Sequence, residues 1–139
     1  MIVDTNVILH LLNEDHPLSA EVTRAFASLS AVQSARTNEI VFAEISASYG
    51  SARAVSSQLA SLSITVDRLS LEDCYRAGVA FREYRRRGAP RTAILPDFLI
   101  GAQAAVRGWP ILTRDPRRFS SYFPEVELID PLEEYDAQH

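Results

Sequence analysis

The sequence predicts an α/β fold, a three-layer α/β/α sandwich around a mainly parallel sheet of about five strands. Short apolar runs alternate with helical patterns from end to end. No repeat, low-complexity stretch or linker divides the chain, and 139 residues suit one domain with a real core. Right-handed crossovers between successive strands then make the pairing mostly parallel and cover both sheet faces with helices.

Residues 1–4 read as a first strand ended by a cap at Asp4, and 6–13 as a short helix with Val7, Ile8, Leu11 and Leu12 inward. A second helix spans 18–29 and a second strand 32–36. A helix over 38–49 stops at Gly50, another covers 52–62, and 64–68 gives the third strand. Ser70-Leu71-Glu72-Asp73 starts a helix that runs to about Arg87 before Gly88-Ala89-Pro90 ends it. After a loop, Pro96-Asp97 opens a helix through Val106, 111–113 forms the fourth strand and 126–129 the fifth. The acids from Glu125 to Asp136 read as a solubilising, partly disordered end, so the expected domain is 1–130 with an acidic tail at 131–139.

Hydrophobic residues at 47% and charged residues at 23% fit a globular chain. No apolar run approaches the roughly 20 residues of a spanning helix, and Met1-Ile2-Val3-Asp4 lacks the basic start of a secretory signal. A cytoplasmic protein without a membrane partner is expected. The single cysteine, Cys74, excludes an intrachain disulfide. It follows Glu72 and Asp73, whose charges oppose a thiolate, so packing is its expected role. The basic residues are 14 arginines and no lysine, which removes Walker-type phosphate binding and Schiff-base chemistry.

The net charge of −4 is unevenly spread. Residues 1–74 carry 4 Arg and 9 acids, 75–118 carry 10 Arg and 3 acids, and 119–139 carry 6 acids alone. Arg85, Arg86, Arg87 and Arg91 form one basic cluster and Arg114, Arg117 and Arg118 another, both suited to a polyanion such as RNA. The first cluster also suits a helix C-terminus.

Four acids carry the chemistry. Asp4 and Asp115 follow strands and Asp97 begins the helix that feeds the fourth strand, so all three belong at the carboxyl edge of the sheet, where open α/β proteins place their sites. Glu44 lies mid-helix beside Ile40, Val41, Ile45 and Ala47, which predicts partial burial. Taken singly, the aspartates read as helix caps and Glu44 as a surface glutamate; together they converge. Two carboxylates about 5 Å apart repel by roughly 3 kcal/mol at an effective dielectric of about 20. Hard oxygens in a polar cleft suit Mg²⁺ or Mn²⁺, one or two ions, and metal-assisted phosphodiester hydrolysis follows as the expectation. His10, His16 and His139 lack a metal-binding spacing, and Trp109 and Tyr84 suit packing better than base stacking.

The motifs Met1-Ile2-Val3-Asp4-Thr5-Asn6-Val7, Ile40-Val41-Phe42-Ala43-Glu44-Ile45, Pro96-Asp97-Phe98-Leu99-Ile100-Gly101-Ala102 and Thr113-Arg114-Asp115 with Phe119 resemble, in order and spacing, a PIN-domain ribonuclease of the VapC type, the toxin of type II toxin–antitoxin pairs. The resemblance spans nearly the whole chain. It implies a Mg²⁺- or Mn²⁺-dependent endoribonuclease with Asp4, Asp97 and Asp115 as metal ligands, Glu44 as ligand or water-orienting group, and Asn6 and Thr113 in support. It also implies a homodimer and an antitoxin partner through which operator DNA is bound. Two other readings stay open. A haloacid-dehalogenase-like phosphatase also ends its first strand in aspartate, but wants an acid where this chain has Asn6, and a lysine. In a non-catalytic RNA-binding or interaction domain, the acids would be caps and the arginines alone would meet phosphate.

Overall fold

The computed structural model describes residues 1–89 and 94–139. The strands β1 (Ile2–Val3), β2 (Arg36–Thr37), β3 (Thr65–Val66), β4 (Ile111–Leu112) and β5 (Leu128–Ile129) form one sheet in the order β3-β2-β1-β4-β5, with every neighbouring pair parallel. Ile2 stands opposite Arg36 on one side and Ile111 on the other. The expected α/β sandwich with five parallel strands is what the chain forms.

Helices α1 (Thr5–Leu12) and α2 (Ser19–Ser30) join β1 to β2, α3 (Glu39–Ser46) and α4 (Ala52–Ser61) join β2 to β3, and α5 (Leu71–Arg86) and α6 (Leu95–Arg107) carry the chain back to β4. The single turn α7 (Arg117–Ser120) leads to β5, and α8 (Pro131–Gln138) follows. The chain steps outward from β1 to β3 and then out the other way from β4 to β5. Right-handed crossovers of opposite travel put their helices on opposite faces. The reversal leaves a switch point between β1 and β4, the position at whose carboxyl ends open α/β sheets place their binding crevices.

Several boundaries differ from the sequence expectation for identifiable reasons. The second strand, expected over 32–36, is Arg36–Thr37, because α2 continues to Ser30 and Val32 lies 82% exposed beyond it; Ala35 is the buried residue of that run. Asn38 is not the first turn of α3 but its cap, its side chain accepting from the Ile40 and Val41 N–H groups. The partly disordered acidic end is instead the helix α8, capped by Asp130, begun by Pro131 and packed on α2. Cys74, expected to pack, is exposed, and the buried residue of that turn is Asp73. Asp73 closes a capping box with Ser70 and accepts from Arg107 at 2.9 Å. The Pro90 end of the helix-stop pattern and Arg91 lie outside the described residues. Among the described residues, no helix is long and apolar enough to cross a membrane.

Met1, Ile2, Val3, Ile111 and Leu112 make the centre of the core, which the inward faces of the helices complete. A cluster of Phe98, Tyr84, Tyr122 and Phe123 locks α5, α6 and the turn after α7 together, with ring centroids 5.2–6.1 Å apart around Phe98. Tyr84 therefore packs, as expected. Trp109 does so too, partly buried against the core with the guanidinium groups of Arg36 and Arg107 5.0 and 5.1 Å from its ring centroid. Gly108, in the left-handed conformation with φ 67°, ends α6 and turns the chain toward β4.

Gly101 lies on α6 directly against the Phe123 ring, which is fully buried, and a Cβ there would overlap the ring. Gly101→Ala is therefore expected to destabilise the fold by about 1–3 kcal/mol despite alanine's better helix propensity. A lower denaturant midpoint at unchanged slope checks this; an unchanged midpoint would show that the aromatic cluster yields freely.

Candidate active site

Asp4 follows β1 at the switch point. Its backbone N–H donates to the Leu112 carbonyl at 2.9 Å, so the sheet itself fixes where the carboxylate stands. The side chain is fully buried. Oδ1 caps α1 by accepting from the Thr5 N–H at 2.8 Å. Oδ2 accepts from the Thr113 hydroxyl at 2.8 Å and from Arg118 Nη1 at 2.6 Å. Burial pushes the Asp4 carboxyl above its ordinary pKa, and the Asp97 charge adds to this; Arg118, Thr113 and the Thr5 N–H oppose the rise without cancelling it.

Asp97 stands in the first turn of α6, after Pro96. Its Oδ1 accepts from Nη2 of the same Arg118 whose Nη1 holds Asp4, so one guanidinium bridges the end of β1 and the start of α6. Burial weakens the Arg118 charge, yet Asp97, Asp4 and Glu44 together hold its pKa above the ordinary arginine value. Glu44 is therefore part of the same electrostatic unit. It is exposed rather than partly buried as expected, because α3 turns Val41 and Ile45 to the core instead. Its Oε1 accepts from the Thr5 hydroxyl at 3.0 Å.

Asp115 joins the group at one remove. Its N–H donates to Thr113 Oγ1 at 3.0 Å, while its half-exposed carboxylate lies 3.9 Å from Arg117 Nε. It does not cap α7; Pro116 occupies that position and makes no side-chain cap bond. Asn6 Oδ1 accepts from the Arg114 N–H at 3.2 Å, tying the first turn of α1 to the loop that carries Asp115. Asp4 and Asp97 thus share Arg118, Glu44 is tied to the start of α1 through the Thr5 hydroxyl, and Asp115 is adjacent to Asp4 through Thr113. Among the described residues, no three His, Cys, Asp or Glu side chains are gathered as a ready ion cage.

The arginines divide into two kinds. Arg85, Arg86 and Arg87 are exposed at the end of α5, with Arg86 and Arg87 only 3.7 and 3.3 Å from Glu83. Arg86 and Arg87 line a surface cavity of about 350 Å³ with Ser121 and Tyr122, just beyond α7, and Arg117 is almost fully exposed. Arg114 is engaged instead, donating to both oxygens of Asp130 at 2.9 and 3.1 Å, and Arg118 lies in the acidic cleft. Arg91 is outside the described residues.

Sequence reasoning missed three supporting side chains. Thr5 orients Glu44. Buried Asn38 donates to Gln103 Oε1 at 2.9 Å, and buried Gln103 donates to the Asp67 carbonyl at 3.0 Å, pinning the carboxyl ends of β2 and β3 to the helix that bears Asp97. A lone glutamine within the apolar run of α6 was the available signal. His10 and His16 meet edge to face at 4.2 Å, His10 Nδ1 donating to the Asn6 carbonyl, and His139 stacks on Tyr135.

The family model described as the PIN domain matches residues 1–122. No curated protein matches the chain in sequence. Among solved structures, VapBC2 from Rickettsia felis bound to a promoter DNA fragment is similar over 92% of this chain and 96% of that one, with 16% identity and a TM-score of 0.71. VapBC-1 from nontypeable Haemophilus influenzae matches over 94% and 96%, with 16% identity and a TM-score of 0.70. DNA-bound VapBC from Salmonella typhimurium matches over 94% and 96%, with 19% identity and a TM-score of 0.69. At these identities the likeness is one of fold.

The raised Asp4 pKa has a consequence for stability. A carboxyl that binds its proton more tightly when folded than when unfolded costs stability as it ionises. The cost begins at about pH 4, where the unfolded group titrates, and is complete above the folded value. In chelator, wild-type stability relative to Asp4→Asn should therefore fall as pH rises through that window. Denaturant midpoints of both proteins between pH 4 and 7 measure it, and parallel profiles would contradict it.

Proposed function

The chain belongs to the PIN-domain family, and we propose that it is a Mg²⁺- or Mn²⁺-dependent endoribonuclease, the VapC-type toxin of a toxin–antitoxin pair. PIN domains are nucleases as a class. The observation that carries the finer reading is the bridging of Asp4 and Asp97 by one cation at the switch point between β1 and β4, with Glu44 tied to the neighbouring Thr5 hydroxyl.

The donor set fits a divalent metal. Carboxylate oxygens are hard ligands, and the pairing of Arg118 with both Asp4 and Asp97 supports a preference for positive charge between them. Asp4, Asp97 and Asp115 would hold one or two ions, which supply an activated water and charge stabilisation at the phosphate. Thr113 fixes Asp4 through its hydroxyl and anchors the Asp115 backbone. Thr5 holds Glu44 for a ligand or water-orienting role, and Asn6 fixes the loop between Thr113 and Asp115. Arg85, Arg86, Arg87 and Arg117 present guanidinium groups to solvent for RNA phosphates, and Arg91 is assigned with them, whereas Arg114 is held by Asp130 and Arg118 by Asp4 and Asp97.

The toxin reading includes an antitoxin that covers the cleft, a homodimer, operator DNA bound only through the antitoxin, and a cytoplasmic location. The solved neighbours are toxin–antitoxin complexes, some on DNA, which supports this assignment. The phosphatase reading loses ground at Asn6, whose side chain serves the backbone of the Arg114 loop. The purely RNA-binding reading accounts for the Asp4 cap but not for Asp97 on the same guanidinium as Asp4.

Asp97→Asn should lower RNA cleavage by at least about a hundredfold while retaining RNA binding, and chelation should abolish cleavage until Mg²⁺ or Mn²⁺ is restored. A gel assay of labelled RNA, with Asp4→Asn alongside, decides this; cleavage that survives both the variants and chelation would sink the metal-dependent nuclease. Replacing Arg85, Arg86 and Arg87 together by Gln should weaken RNA binding and reduce the salt slope by about 1 for each RNA phosphate that is no longer neutralised. Filter binding over a salt series measures it, and an unaltered slope would remove these arginines from the RNA path.

A further inference from the structure

The Arg118 guanidinium occupies Asp4 Oδ2 and Asp97 Oδ1, oxygens that a divalent ion held between these two acids would also use. Asp4 Oδ2 accepts from Arg118 Nη1 at 2.6 Å and from Thr113 at 2.8 Å, while Oδ1 is taken by the Thr5 N–H, so this fully buried carboxylate has its protein partners on both oxygens. Asp97 Oδ1 is held by the other terminal nitrogen of the same arginine. Glu44 lies close enough to act on that charge. We propose that Arg118 is an internal cation that latches Asp4 to Asp97 in the metal-free protein and must be displaced before a divalent ion binds there. This rests on the metal-dependent reading above.

Geometry and charge both favour an exchange. Two cations at the Asp4–Asp97 pair would share lone pairs and repel, so an incoming ion opens both ion pairs at once. Arg118 has a way out. Its side chain is a quarter exposed, and it rides on a single helical turn whose neighbour Arg117 already stands in solvent. Phe119, fully buried beside it, keeps the turn in place while the guanidinium moves. Once released, Arg118 joins Arg117 at the cleft mouth, where it is free to meet an RNA phosphate. Arg118 is thus a positioning residue that keeps the acids together without metal and lowers the apparent metal affinity by the latched fraction.

The test is direct Mn²⁺ binding, measured by titration calorimetry on the full chain in the absence of RNA, for wild type, Arg118→Ala, Arg118→Lys and Asp97→Asn/Arg118→Ala. If at least nine-tenths of the metal-free protein is latched, Arg118→Ala should bind Mn²⁺ about tenfold or more tightly than wild type. Arg118→Lys, which keeps a charge but cannot span both carboxylates with a fork, should fall between them. Arg118→Ala should also melt lower without metal and gain more in melting temperature from Mn²⁺ than wild type does. Equal or weaker affinity in Arg118→Ala would overturn the latch while leaving the metal-dependent reading intact. Tight binding that persists in the double variant would place the ion elsewhere and overturn the latch. Absence of Mn²⁺ binding in every protein would overturn the metal-dependent reading, and the latch with it.

Discussion

A carboxylate buried at the end of the central strand needs a positive partner, and the rest of the site is organised around that need. Asp4 is held out of water by the sheet, because its N–H continues the ladder onto β4. Three donors serve its oxygens, yet burial still dominates its titration. Removing the cation from such a group leaves an unpaired buried charge, a loss of about 3–5 kcal/mol in comparable cases. Arg118 meets the need from a one-turn helix more than a hundred residues away, and in doing so draws in Asp97 from α6.

The scaffold beneath these side chains is correspondingly over-determined. Thr113 both donates to Asp4 and accepts from the Asp115 N–H, so one hydroxyl sets the spacing of two acids. Asn38 and Gln103 connect the ends of β2 and β3 to α6 through buried hydrogen bonds with every member satisfied at one end or the other. The Arg114–Asp130 pair ties the acid-bearing loop to the start of α8. A site built on strand ends and helix starts keeps its geometry better than one on free loops.

The charge map follows the same division of labour. Acids concentrate at the carboxyl edge of the sheet and in α8, whereas exposed arginines gather at the end of α5 and at α7. The likeness to the solved VapBC structures, at 16–19% identity, is one of fold, and activity resides in the side chains that a fold carries. The proposed activity rests on side chains, on Asp4 and Asp97 held by one guanidinium and on Asp115 tied to Asp4 through Thr113.

The amino-acid sequence by itself determined the layer architecture and the strand count, because apolar periodicity and cap residues are local signals. It placed Asp4, Asp97 and Asp115 at one sheet edge by topology alone. It could not tell that Val32 would lie outside the sheet, that Glu44 would face solvent, or that the acidic end would fold onto α2 as a helix, since each depends on which surface a distant element covers. Nor could it separate Arg118 from Arg117. Adjacent residues of one type look alike in sequence, and only the packing of α7 against α6 turns one guanidinium inward to the carboxylates and leaves the other in water.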